Sequence, residues 1–113
     1  MAPRAASLKP SARRSLPPAE QIAPHARRAA ALLKSLANEQ RLMVLCNLLE
    51  GPLPVGEINA RLPLSQSALS QHLAVLREAG LVQTERRAQS VVYTLRRGVV
   101  PRIIELLRDE FCG

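Results

Sequence analysis

The chain has 113 residues, 47% of them hydrophobic yet with one Phe, one Tyr and no Trp, and its 16 Lys and Arg against 9 acids give a formal net charge of +7. A chain of this length supports one small domain with a modest core, and packing that must come from Leu, Ile, Val and Ala favours helices joined across a dimer interface. The sequence holds no clustered acid and base pair, no nucleotide-binding glycine loop and no nucleophile motif, so neither enzymatic activity nor a cofactor is expected.

The basic excess suggests a polyanionic partner, but it is unevenly placed. Residues 1–28 carry +5 and residues 29–113 only +2. Residues 1–24 are rich in Pro, Ala, Ser and Arg without a sustained apolar period, and are expected to be a disordered basic arm. An Arg-rich, acid-poor makeup also resembles an organelle transit peptide, the second reading of this segment. No apolar run is long enough for a secretory signal or a membrane span, so the expectation is a soluble, cytoplasmic chain with no membrane partner.

Residues 25–113 are expected to form the folded domain. Ala29, Leu32, Leu33 and Leu36 supply a packing face for a helix over about 25–36. Asn38 is a suitable N-cap for a second helix running to Glu50 and stopped by Gly51. Within it Leu42, Leu45, Cys46 and Leu49 recur at i, i+3, i+4 and i+7, which predicts that Cys46 faces the core. Val55, Ile58 and Leu62 then mark a short helix after Pro54.

Leu64 to Leu73 read Leu-Ser-Gln-Ser-Ala-Leu-Ser-Gln-His-Leu, and Ser65 is a good N-cap with Leu64 placed to staple onto Leu69. Leu69, Leu73 and Leu76 share one helical face, with His72 near it as a structural residue. Ser67, Ser70, Gln71 and Ala74 fall opposite. Short hydroxyl and amide side chains suit a surface that must approach base edges, whereas an ordinary solvated face is richer in Lys and Glu. Joined through Pro63 to the preceding helix, the segment has helix-turn-helix spacing.

Gly80 supplies the stop. Residues 81–87 and 91–95 are rich in β-branched side chains and predict two strands around Ala88, Gln89 and Ser90. Arg86 and Arg87 then flank the tip of a hairpin wing, where guanidinium groups reach phosphates or a minor groove. Pro101 suits a first helical turn, and Val100, Ile103, Ile104, Leu107 and Phe111 form the stripe of a last helix. The predicted fold is mainly α with a small β-hairpin wing, a winged helix-turn-helix that dimerises through its first and last helices.

From about Leu32 to Phe111 this order of helices, the Leu64 to Leu73 run, Leu-Arg-Glu-Ala-Gly-Leu-Val, a wing ending in Val-Val-Tyr-Thr-Leu and a last helix resembles the ArsR/SmtB repressors. The resemblance implies a homodimer that reads an imperfect palindrome in double-stranded operator DNA and leaves it when an inducer binds. By position the family's base readers fall on Gln66, Ser67, Ser70 and Gln71. Arg77, Arg86, Arg87 and Gln89 complete the candidate DNA-binding set. One departure is the wing turn, where Ala88 and Gln89 stand in place of a glycine-containing turn.

The metal-sensing members of that family use a Cys-x-Cys pair or carboxylate and His ligands on the last helix, and both are missing here. Two cysteines are too few for a soft-metal site within one chain. At both positions the pair Cys46 and Cys112 is similar to that of the BigR and SqrR type of repressor, which implies a dithiol switch answering to persulfide or another reactive sulfur or oxidant species. Redox-inert cysteines and a metal held between subunits remain open, as does a winged helix that binds only protein. Arg108 precedes Cys112 by one turn, while the local sequence puts no cation beside Cys46.

Overall fold

The computed structural model describes residues 17–112. Five helices, α1 (Ala19–Leu36), α2 (Glu39–Leu48), α3 (Val55–Arg61), α4 (Gln66–Glu78) and α5 (Val99–Phe111), combine with strands β1 (Leu53–Pro54), β2 (Val82–Arg87) and β3 (Ser90–Leu95). The chain divides between Ala30 and Ala31 into two units, the boundary falling inside α1.

In the first unit α1 begins at Ala19, six residues ahead of the expected start, and runs through Pro24. Proline removes one interior donor. Alanines at 19, 23, 26, 29, 30 and 31, the residues of highest helix propensity, outweigh that loss. Most of the expected basic arm, residues 1–16, lies outside the described residues.

The second unit carries the core. Asn38 caps α2 in extended backbone, its side chain accepting the Arg41 N–H at 3.0 Å. The helix ends at Leu48, two residues short of the expected Glu50, and Gly51 takes φ 141° just beyond it. Its buried face is Val44, Leu45 and Leu48, with Leu42, Cys46 and Leu49 packed only partly against the core. The helix is therefore rotated relative to the expected stripe. Cys46 sits at the edge of the core and not inside it.

Ile58 of α3 and Leu69, Leu73 and Leu76 of α4 are buried, as the 3.6-residue period requires. The Asn59 amide donates to the Leu64 carbonyl at 2.9 Å and closes the turn between the two helices. Ser65 caps α4 by accepting the Ala68 N–H at 3.1 Å. At the other end Gly80 adopts φ 77°, and the Leu81 and Gly80 N–H groups donate to the Leu76 and Arg77 carbonyls at 2.9 and 3.0 Å. This is a Schellman stop, and the burial of both Leu81 and Leu76 adds the apolar contact that accompanies it.

β2 and β3 pair antiparallel from Val82 opposite Leu95 to Arg87 opposite Ser90, leaving the two-residue turn Ala88–Gln89. Ala88 bears φ 54°, the one non-glycine residue with positive φ among the described residues. β1 pairs with the other edge of β3, Leu53 opposite Tyr93, so the sheet order is β1-β3-β2. A two-residue strand has too short a pattern to be seen in sequence. Val100 and Ile104 anchor α5 in the core, but Leu107 and Phe111 remain exposed, so the expected stripe is only partly used within one chain, and Leu106 is exposed beside it. No helix among the described residues is long and apolar enough to cross a membrane.

Candidate DNA-reading surface and dithiol cavity

The N-terminal turns of α4 present Gln66, Ser67, Ser70 and Gln71, all exposed. This follows from the burial of Leu69, Leu73 and Leu76, because residues between buried positions on a helix point away from the core. Gln66, Ser67 and Ser70 share a crevice of about 360 Å³ with Val55, Gly56 and Asn59 of α3. Ser70 also opens onto a second one, of about 480 Å³, with Ala74, Arg77 and Tyr93. Ser70 thus lies where the helix-turn-helix meets the sheet. Gln71 lines neither crevice.

Arg86, Arg87 and Gln89 are exposed at the wing tip. Arg86 and Arg87 are neighbours on β2, so their side chains leave opposite faces of the hairpin. Arg87 donates to the Glu85 carboxylate at 3.2 Å with both side chains more than half exposed, an ion pair worth about 0–1 kcal/mol that yields readily to a phosphate.

Sequence reasoning missed the approach of α2 to the candidate reading helix. Arg41 Nε and Nη2 donate to the Ser35 and Lys34 carbonyls at 2.7 and 3.3 Å, satisfying the end of α1, while Nη1 lies 3.5 Å from Nδ1 of the half-buried His72. No local pattern signals this, since 31 residues separate Arg41 and His72.

The second site lies between α2 and α5. Half-buried Cys46 and exposed Cys112 both line a cavity of about 750 Å³, together with Arg108, Glu39, Asn47 and an apolar wall that includes Leu42, Met43 and Ile104. Burial pushes the Cys46 thiol above its ordinary pKa, the nearby Cys112 raises it further, and the positive charge of Arg108 pulls it back. The sequence places no cation near Cys46. The fold supplies one from α5, which no sequence spacing announces. Among the described residues no group of three or more His, Cys, Asp or Glu is gathered as a metal site.

Residues 38–84 match the family described as bacterial regulatory protein, arsR family. The chain is 52% identical over 93 residues to the transcriptional activator HlyU of Vibrio cholerae, covering 82% of this chain and 86% of that protein. It is 48% identical to the biofilm growth-associated repressor of Agrobacterium fabrum, covering 74% and 72%. Among solved structures, reduced HlyU from Vibrio cholerae superposes with TM-score 0.79 at 51% identity over 83% of this chain and 99% of that one. The transcriptional repressor BigR from Xylella fastidiosa superposes with TM-score 0.75 at 36% identity, over 86% of this chain and 99% of that one. The three-stranded sheet with its hairpin, the capped α4 and these likenesses agree, and the chain belongs to the arsR family as a winged-helix, DNA-binding transcriptional regulator and not an enzyme.

Proposed function

We propose that the protein is a homodimeric repressor that reads an imperfect palindrome through α4 and its wing, and releases it when Cys46 and Cys112 of one chain are joined by reactive sulfur. The observation that carries this reading is that both thiols line one cavity although they belong to different helices. Apolar side chains left exposed, Leu33 on α1 and Leu106 on α5, support pairing of these helices between copies. Repression is in keeping with the repressors of Agrobacterium and Xylella among its relatives. A reduced form is distinguished for the similar HlyU, in keeping with thiol redox chemistry.

The chemistry starts at exposed Cys112, because Cys46 is half-buried and burial raises its pKa, which lowers the fraction present as thiolate. The Cys112 thiolate attacks the outer sulfur of a persulfide RSSH, and the RS⁻ that leaves takes a proton as RSH. Cys46 then gives up its proton and attacks Cys112 Sγ, and the hydrosulfide that departs takes up a proton as H₂S. Two thiols and one persulfide become one disulfide, one thiol and H₂S, with the cysteine sulfurs oxidised and the transferred sulfur reduced. A second persulfide lengthens the bridge by one sulfur and releases one more RSH. The bridge ties α2 to α5. Because the two reading helices of a dimer must meet grooves one DNA turn apart, a small change in their spacing weakens the complex.

The test is operator binding by the full chain before and after persulfide. Cys46→Ser and Cys112→Ser are each expected to bind DNA and to stay bound, while the wild type releases it as mass spectrometry finds the two peptides joined by two or more sulfurs. Zinc or cadmium at equal concentration leaves the wild-type complex in place. Release of DNA by both serine variants on persulfide treatment rejects the dithiol mechanism and leaves the regulator assignment standing.

A further inference from the structure

We infer that the cavity between α2 and α5 is also a reversible binding site for a medium-chain aliphatic carboxylate, seated with its head at Arg108 and its tail along α2. The site shares its walls with the dithiol but does not rest on sulfur transfer. At about 750 Å³ the cavity has the size of small-molecule sites. Leu42, Met43, Leu62, Ile104, Leu107 and Phe111 make its surface mainly apolar.

The polar groups are few and placed at different positions along the groove. Asn47 is already committed, donating to the Met43 carbonyl at 2.8 Å and accepting from Arg61 at 3.5 Å. Among the described residues Arg108 has only its chain neighbour Asp109 as an ion-pair partner, at 3.6 Å, with its side chain 44% exposed. A guanidinium held this loosely is open to a carboxylate, for which its planar fork is suited. Glu39 begins α2 seven residues before Cys46, which at the helical rise is about 10 Å from the thiol level. Arg108 stands one turn before Cys112 on α5, its carbonyl accepting the Cys112 N–H at 2.7 Å, and its side chain lines the cavity together with both thiols. One end of the groove therefore attracts an anion and the other repels it, with apolar wall between. This polarity selects a linear monoanion with a hydrocarbon tail and fixes its direction. A small inorganic anion leaves the apolar wall wet, and a dicarboxylate brings its second charge toward Glu39.

Titration of the full-length Cys46→Ser/Cys112→Ser protein with octanoate, followed by calorimetry, tests the site without any sulfur chemistry. Saturable binding of one octanoate per chain is expected. Butanoate, shorter by four methylenes, is expected to bind more weakly by roughly two orders of magnitude, since each buried methylene is worth about a factor of four. Octanol, and octanoate with the Arg108→Gln variant, are each expected to bind roughly tenfold more weakly than octanoate with Arg108 present. In the wild-type chain, octanoate is expected to slow iodoacetamide labelling of Cys46. Met43→Trp, which fills the groove, is expected to abolish binding while the circular dichroism melt reports a folded protein. No saturable binding below the concentration at which octanoate forms micelles overturns the proposal. Equal affinity for octanol and octanoate, or indifference to Arg108→Gln, overturns it as well. Persulfide release of DNA is measured separately, so failure here and failure of the dithiol switch are distinguishable.

Discussion

Cys46 and Cys112 open onto the same cavity although α2 and α5 lie at opposite ends of the folded unit's sequence, and the charge of Arg108 reaches the more buried of the two. The two thiols line one largely apolar groove but differ in burial. The half-buried one is protected by desolvation, while its partner stands at the rim.

This arrangement sets a pH dependence. Burial first, and the neighbouring Cys112 second, hold the Cys46 pKa above that of a free thiol. Alkylation of Cys46 in the Cys112→Ser protein is therefore expected to reach half its limiting rate at a pH above that of a free cysteine, and Arg108→Gln to move the midpoint higher still. The linkage has a definite sign, since a raised folded pKa means the native state holds the proton more tightly. The associated stability is complete below the unfolded-state pKa and is lost as pH rises through the folded one. Denaturant melts across the alkaline range, compared with Cys46→Ser, check this, and a midpoint at or below that of a free thiol contradicts it.

Ser70 and Gln71 are exposed on α4 and contribute nothing to the core. Ser70→Ala/Gln71→Ala is expected to weaken operator binding by about 1–3 kcal/mol for each base-edge hydrogen bond removed, with an unchanged melting temperature. Fluorescence anisotropy with operator and scrambled duplexes measures both affinity and preference. Retention of both in the double variant removes these residues from the reading surface.

Arg4, Lys9, Arg13 and Arg14 lie in the first 16 residues, while the buried residues of the core run from Leu36 to Ile104. Removal of residues 1–16 is expected to leave the fold intact and to make the salt dependence of DNA binding shallower. If all four cations neutralise phosphates, the slope falls by up to about 3.6. Binding measured over a salt series decides the matter, and an unchanged slope means that these cations do not meet DNA.

Ala88 takes φ 54° at the first position of the wing turn, a region costing an L-residue roughly 1–2 kcal/mol. Ala88→Gly removes that strain but raises the entropy of the unfolded chain by about 0.4–1 kcal/mol. A net stabilisation of about 0–1.6 kcal/mol is expected, read from urea midpoints at constant slope. A lower midpoint means that the turn holds alanine without strain.

The sequence by itself determined those features whose physics is local. Ser65 caps the helix it precedes, Gly80 ends it because a left-handed stop is least costly for glycine, and Leu69, Leu73 and Leu76 lie inward because helical spacing puts them on one face. The wing was legible in its β-branched runs to within a residue. Boundaries were less so, since the alanines around Pro24 carry α1 past a helix breaker and α2 stops before Gly51. What depends on distant residues only the tertiary structure decided. The rotation of α2 brings Cys46 to the edge of the core, β1 exists because β3 offers it a free edge, Arg41 meets His72, and α5 swings Arg108 and Cys112 against α2. Each of these joins elements far apart in the chain, and helical or strand periodicity describes only which way one element faces, not which neighbour it will meet.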